Sequence, residues 1–172
     1  MSPSLGDRIL KVDHAGEHGA VNIYRTQILV SRFTAPRLTA TLREFMAHEM
    51  RHRALFEERL QARGVRRCRS YPLCGLGGYV LGLVTALLGR SAIAATTHAV
   101  EDVVLGHLEA QVERLRHLDP DACAAVSDII ADEREHHRHG ERLMRAGDFW
   151  PALITPVVRA STEAVIWLGM RL

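Results

Sequence analysis

Apolar and polar residues never alternate over a window long enough for a strand, and β-branched residues do not cluster between hairpin turns. The pattern therefore predicts essentially no sheet. Prolines and glycines instead divide the chain into six helical segments. Ser4 with Asp7 reads as a capping box opening a first helix that reaches about Phe33. Pro36 suits the first turn of a second helix, which Gly64 ends; Pro72 opens a third, closed by Gly89. Ser91 is placed to cap a fourth helix that stops near Leu118. Asp119-Pro120 is a cap followed by a first-turn proline, with Gly147 closing the fifth helix, and Pro151 begins a sixth that runs nearly to the C-terminus. The third and sixth segments are the least regular: five glycines lie between Gly75 and Gly89, and Pro156 falls in the sixth helix's first turns.

The third segment differs from the others in polarity. Ser70 to Gly89 contains no charged residue, and Arg90 is followed by another apolar stretch. Its length touches the roughly 20 residues of a membrane-spanning helix, but Pro72 and the glycines argue against a clean span. A buried core helix is one reading. A helix lying against a membrane surface is the favoured one, because Arg63, Arg66, Arg67 and Arg69 stand immediately before it, as in a peripheral anchor attracted to anionic lipid.

Composition narrows the class. The chain has 172 residues, 47% of them apolar and 24% charged, which suits one globular domain with a sizeable core. A net charge of +2 gives no reason to expect nucleic-acid binding. Three cysteines, Cys68, Cys74 and Cys123, are an odd count without metal-type spacing and are expected as free thiols in a reducing compartment. No apolar stretch follows a basic start, so no signal peptide is expected. Histidine is the unusual feature: there are ten, many beside glutamates, the two residue types that iron and zinc sites use.

Those residues repeat with an offset of 84. His14, Ala15 and Glu17 recur as His98, Ala99 and Glu101; Ala47, Glu49 and His52 recur as Ala131, Glu133 and His136; Gln27 and Glu57 recur as Gln111 and Glu141. In each half 32 residues separate the lone glutamate from the Glu-x-x-His pair. Positions i and i+3 share a helix face, so Glu49 with His52, and Glu133 with His136, can each grip one ion. A lone glutamate from each preceding antiparallel helix supplies a further ligand. One Glu from each of two helices and Glu-x-x-His from each of two others is the arrangement of ferritin-like di-iron and di-manganese proteins. Four carboxylates balance two divalent cations, whereas burying them together without metal costs many kcal/mol or forces protonation. A single Glu-x-x-His is common on solvated helices; two copies at one spacing are not. The expected fold is all-α: a single ferritin-like domain over 1–172, a four-helix bundle with two additional apolar helices and an internal two-fold repeat. Its expected metal ligands are Glu17, Glu49, His52, Glu101, Glu133 and His136.

Around that set, Asp132 precedes Glu133, points toward a neighbouring helix, and is placed to accept a hydrogen bond from a ligand imidazole. Its repeat partner, His48, is not expected to play the same acceptor role. With His18, His117, His137 and His139, it is expected to be solvated or partly packed, while His14 and His98 are candidates for groups behind the ligands. Tyr24 lies two turns after Glu17 on nearly the same face, and Leu108 is its counterpart after Glu101; both are substrate-pocket candidates, though packing is the commoner role for such positions.

The run Asp-His-Ala-Gly-Glu-His-Gly-Ala (Asp13 to Ala20), the Glu-x-x-His at Glu49, Val-Glu at Glu101 and Asp-Glu-x-x-His-His (Asp132 to His137) resemble the demethoxyubiquinone hydroxylases of ubiquinone biosynthesis. The resemblance covers nearly the whole chain, including Leu-Leu-Gly at Leu87 to Gly89 and the closing Arg-Leu. It implies a membrane-associated di-iron monooxygenase that hydroxylates the ring of a polyprenyl benzoquinone intermediate of 3-demethoxyubiquinol type, with two iron ions as cofactor. Position by position, Glu17 and His52 would ligate one iron, Glu101 and His136 the other, and Glu49 and Glu133 would bridge them. The resemblance also implies NADH as electron donor, a lipid-binding partner protein of the same pathway, and His107 beside Leu108 in the substrate pocket. The expected location is peripheral, on the cytoplasmic face of the cell membrane in a bacterium or the matrix side of the inner mitochondrial membrane in a eukaryote. His18 and Leu108 depart from the family, standing where tyrosines are expected.

Other classes remain. Ferritin-like iron oxidation and storage needs a shell with a polar outer surface, against which the uncharged stretch from Ser70 argues. Peroxide-reducing di-iron proteins of the rubrerythrin type usually add a Cys-x-x-Cys iron domain, which Cys68 and Cys74 do not provide. A membrane-bound quinone carrier with a vestigial site would not need all six ligands.

Overall fold

The computed structural model describes residues 3–172, and among these the chain forms six α-helices and one 3-10 turn, with no strand. In chain order they are α1 (Leu5–Thr34), the turn Pro36–Leu38, α2 (Thr39–Ala62), α3 (Tyr71–Leu87), α4 (Arg90–Leu115), α5 (Pro120–Leu143) and α6 (Phe149–Gly169).

Local chemistry sets most of the boundaries. The Ser4 hydroxyl accepts from the Asp7 N–H at 3.0 Å and the Asp7 carboxylate accepts from the Ser4 N–H at 3.1 Å, closing the capping box on α1. Asp119 caps α5 by accepting from the Ala122 N–H at 3.1 Å. At the end of α2, Gly64 takes φ 62° while its N–H bonds Gln61 O and the Val65 N–H bonds Leu60 O, a Schellman ending that L side chains rarely permit. Three expectations shift. Pro36 opens the short turn and α2 proper begins at Thr39. Ser91 does not cap α4: Gly89, at φ 88°, precedes a helix already begun at Arg90 and no side chain closes its first turn. Gly147 lies beyond the end of α5, which stops at Leu143, because Arg145 to Asp148 form a separate turn closed by the Asp148 carboxylate.

The main packing partners of α1 are α2 and α3, and those of α4 are α5 and α6. The glycine-rich α3 is an unbroken helix. Gly78 and Gly82 face α1 so closely that a Cβ on either would overlap backbone of Gly19 or Ile23. At one end, Arg63 closes α2 with a bidentate grip on Asp119 (2.6 and 2.7 Å) and further contacts to Asp121 (2.7 Å) and Asp7 (3.3 Å). Four residues from three helix ends thus meet. This removes Arg63 from the group of arginines expected to face lipid; Arg66, Arg67 and Arg69 stay exposed.

The outer face of α3 is apolar and bare. Leu76, Val80, Val84 and Leu87 are each about half exposed or more, and α6 presents Phe149, Leu153, Val157 and Trp167 in the same way. No helix among the described residues is long and apolar enough to cross a membrane. All three cysteines are free.

Candidate metal centre

Four helices deliver carboxylates and imidazoles to one buried point. Glu17 comes from α1, Glu49 and His52 from α2, Glu101 from α4, and Glu133 and His136 from α5; none is more than 6% exposed. They form two overlapping groups able to hold an ion: Glu17, Glu49, His52 and Glu133, and then Glu49, Glu101, Glu133 and His136. Glu49 and Glu133 belong to both.

The distances show how the groups converge. His52 Nδ1 lies 2.9 Å from Glu133 Oε1 and 3.7 Å from both Glu17 Oε2 and Glu49 Oε2. His136 Nδ1 lies 3.1 Å from Glu49 Oε1, 3.5 Å from Glu133 Oε2 and 4.0 Å from Glu101 Oε1. Despite these separations, His52 Nδ1, His136 Nδ1, Glu49 Oε1 and Glu133 Oε1 are buried without an aligned hydrogen bond. Close approach without alignment is what ligand lone pairs aimed at a shared ion produce, since buried polar groups otherwise find partners. Oxygen and imidazole donors in this ratio suit divalent iron or manganese.

Electrostatics give the same picture. Burial, together with Glu49 and Glu133 nearby, pushes Glu17 and Glu101 well above the usual carboxylate range. Burial also works to raise Glu49, but His136 and His52 outweigh it and hold it low. Burial works to lower both histidines; the facing carboxylates overcome it, driving His52 far up and His136 to about 9. The metal-free cluster thus retains protons on Glu17 and Glu101 that the unfolded chain, with glutamates near 4.5, would release. Groups raised in the folded state stabilise it fully below their unfolded pKa, and that contribution disappears as pH climbs through the folded value. In a chelator, the melting temperature is therefore expected to fall as pH rises from the unfolded glutamate value near 4.5 toward the His136 value of about 9, and a saturating divalent ion to remove most of the decline, because metal binding displaces those protons. Calorimetric melts with and without Mn(II) check this; a chelated protein that grows more stable across that range contradicts the charge balance.

Around the cluster, Asp132 Oδ2 lies 3.0 Å from His52 Nε2 and 3.3 Å from Arg51. His48 is neither merely solvated nor merely packed: its Nδ1 lies 3.1 Å from His136 Nε2. A neutral imidazole keeps one nitrogen lone pair, so His48 can partner His136 there without matching a carboxylate as acceptor. Phe45, which sequence reasoning did not single out, packs its ring 4.1 Å from that of His136. His14 stacks on Tyr71 and His98 lies tilted against His137; neither is hydrogen-bonded to a residue of the cluster. His18 stacks almost parallel on Tyr71, ring centroids 4.0 Å apart.

A cavity of about 270 Å³ opens onto the cluster between α1, α3, α4 and α6. Its walls are chiefly apolar, and Glu17, Glu49, Glu101 and Glu133 reach its floor. His107 and Leu108 line it, and His107 Nε2 lies 2.8 Å from Glu163 Oε2. Tyr24 does not line it; buried beside Phe45, its hydroxyl donates to Glu101 Oε1 at 3.3 Å. Of the last helix, Val165 and Ile166 take part, while Trp167 is 58% exposed. Asp13 was not foreseen: it lines the cavity, accepts from Gln111 Nε2 at 3.0 Å, and burial raises its carboxyl to about 7 against that hydrogen bond. The Asp13–Gln111 contact joins positions 98 residues apart, so only the offset linking Gln111 to Gln27 drew notice in the sequence.

Comparison with known proteins agrees with this geometry. A Rhodospirillum rubrum protein named 3-demethoxyubiquinol 3-hydroxylase is 34% identical over 169 residues, 98% of this chain and 79% of its own length. The mouse and human proteins named NADPH-dependent 3-demethoxyubiquinone 3-hydroxylase, mitochondrial, are 34% and 33% identical, covering 96% and 100% of this chain and 77% and 80% of theirs. A family model described as Ubiquinone biosynthesis protein COQ7 matches residues 4–169. The chain belongs to the COQ7 family of ubiquinone biosynthesis proteins.

Proposed function

We propose that this chain is a di-iron monooxygenase that hydroxylates the ring of a polyprenyl benzoquinol lacking one methoxy group, in ubiquinone biosynthesis. The observation that carries the reading is a chiefly apolar cavity whose floor is a doubly shared Glu/His cluster. In this reading α1, α2, α4 and α5 form a ferritin-like bundle within one domain, α3 and α6 are added outside it, and the offset of 84 reflects a two-fold repeat. Glu17 and His52 would hold one iron and Glu101 and His136 the other, with Glu49 and Glu133 shared between the two positions. Bound iron supplies activation of O2.

The protein's own part is positioning and exclusion. Apolar walls keep bulk water from the ring and favour an isoprenoid tail. Tyr24 holds Glu101 by its hydrogen bond, and His107, held by Glu163, and Asp13 offer polar contacts to ring oxygens. Asp13, poised near 7, can hold or release a proton at its carboxyl in the working range. The balance is one O2, two electrons and two protons, giving one ring C–OH from C–H and one water. A reduced nicotinamide is the electron source; NADPH appears in the names of the mammalian relatives. The bare apolar faces of α3 and α6, with Arg66, Arg67 and Arg69 beside α3, support peripheral contact with a membrane that holds the substrate. A lipid-binding protein of the same pathway is the proposed partner.

Iron-loaded protein with vesicles carrying the demethoxy quinol, a reductant and isotopically labelled O2 is expected to yield a hydroxylated ring bearing one labelled oxygen. Metal-loaded protein that forms no labelled product under these conditions overturns the assignment.

A further inference from the structure

Each ligand histidine is held from behind by the helix opposite. His52 on α2 turns Nδ1 toward the carboxylates and Nε2 toward Asp132 on α5, 3.0 Å away. His136 on α5 turns Nδ1 the same way and Nε2 toward His48 on α2, 3.1 Å away. Asp132 and His48 each immediately precede a shared glutamate, and they are themselves 84 positions apart. The two backing contacts are therefore equivalent in place and different in chemistry.

Proton placement follows from ligation. A nitrogen that binds metal carries no proton, so Nδ1 of both histidines is bare and Nε2 carries the hydrogen. His52 then donates to a carboxylate. His136 donates to the Nδ1 lone pair of a neutral His48, whose own hydrogen must sit on Nε2. A carboxylate acceptor makes the donating imidazole a more basic ligand, and hydrogen bonds to charged groups are roughly twice as strong as neutral ones. Arg51 shares Asp132, but its side chain is 59% exposed and screened by solvent. Asp132 also stands 3.9 Å from His48 Nδ1, too far to replace the contact to His136.

We propose that His48 is a positioning residue for His136, and that having a neutral group there makes the Glu101–His136 position the weaker of two unequal divalent-cation positions, the Glu17–His52 position being backed by Asp132. The inference rests on the metal-centre reading above and adds that the two ions are bound differently by design of the shell behind them.

Titration of the metal-free full chain with Co(II), followed by its visible absorption and by calorimetry, separates the outcomes. Wild type is expected to take up two ions in two steps differing by about tenfold or more, the range over which groups behind a ligand alter affinity. His48→Asp is expected to bring the two steps together, and His48→Leu to weaken the second step by a further tenfold or so while leaving the first in place. His48→Asn, which keeps an acceptor oxygen, should fall near wild type, and Asp132→Asn should weaken the first step instead. Circular dichroism confirms that each variant is folded. A ratio of the two steps that is the same in wild type, His48→Asp and His48→Leu overturns the proposal while leaving the metal centre standing. Failure of wild type to bind Co(II) at all, or binding indifferent to Glu49→Ala, removes the metal-centre reading and this inference with it.

Discussion

Replacing Glu49 by alanine is expected to reduce hydroxylation to below about a hundredth of wild type, at least the loss seen when groups merely behind a metal ligand are removed. The reason is its double membership. Its Oε1 lies 3.1 Å from His136 and its Oε2 lies 3.7 Å from His52, so one side chain serves both ion positions. In the di-iron reading proposed above, losing it removes a ligand from each position and a negative charge from between two cations. Glu133 has the same geometry, 2.9 Å from His52 and 3.5 Å from His136, and its alanine variant should behave alike. The helices should survive, because the core of Ile9, Leu10, Phe56, Leu108, Leu115 and Ile129 lies outside the cluster. Steady-state turnover with metal quantification measures both effects. Normal turnover in either variant excludes a bridging role.

The second large effect concerns packing, and its control lies one residue away. Gly78→Val is expected to lower the melting temperature by roughly 2–12 °C, from about 1–3 kcal/mol of overpacking at about 2–4 °C per kcal/mol in a domain of this size. A Cβ at Gly78 would overlap the Gly19 carbonyl, backbone that can yield only if α3 moves off α1. Gly78 also lines the cavity, so turnover should fall with stability. At Gly77 nothing lies within 4 Å of an added Cβ, so Gly77→Ala should raise stability by about 0.5–1 kcal/mol through helix propensity alone. Adjacent glycines thus give opposite signs in one calorimetry experiment. Equal effects at both would mean that α3 does not pack as described.

That contrast shows where sequence reading succeeds and stops. Caps are local chemistry, so Ser4, Asp119 and Gly64 could be read from a few neighbours. Propensity is local too, and it marked the glycines of α3 as weak; their reason lies on α1, 59 residues earlier for the Gly19–Gly78 approach. The six Glu and His residues were legible through their repeated spacing, which needs no knowledge of contacts. What backs them was half legible. Asp132 stood out because a carboxylate is an obvious acceptor, whereas His48 becomes one only when the partner's proton is placed. Asp13 stayed hidden because its significance comes from the cavity, which four helices build together.

Each ligand histidine has its nearest carboxylate on the other half of the chain: His52 on Glu133, His136 on Glu49. Neither half can therefore complete an ion position by itself. An ion bound there acts as a reversible cross-link between the segments before and after α3, and its binding free energy adds directly to the free energy that keeps them docked. If those ions are iron, as proposed, iron supply sets the lifetime of the folded protein as well as its activity, and a cell short of iron loses the enzyme to proteolysis along with its turnover.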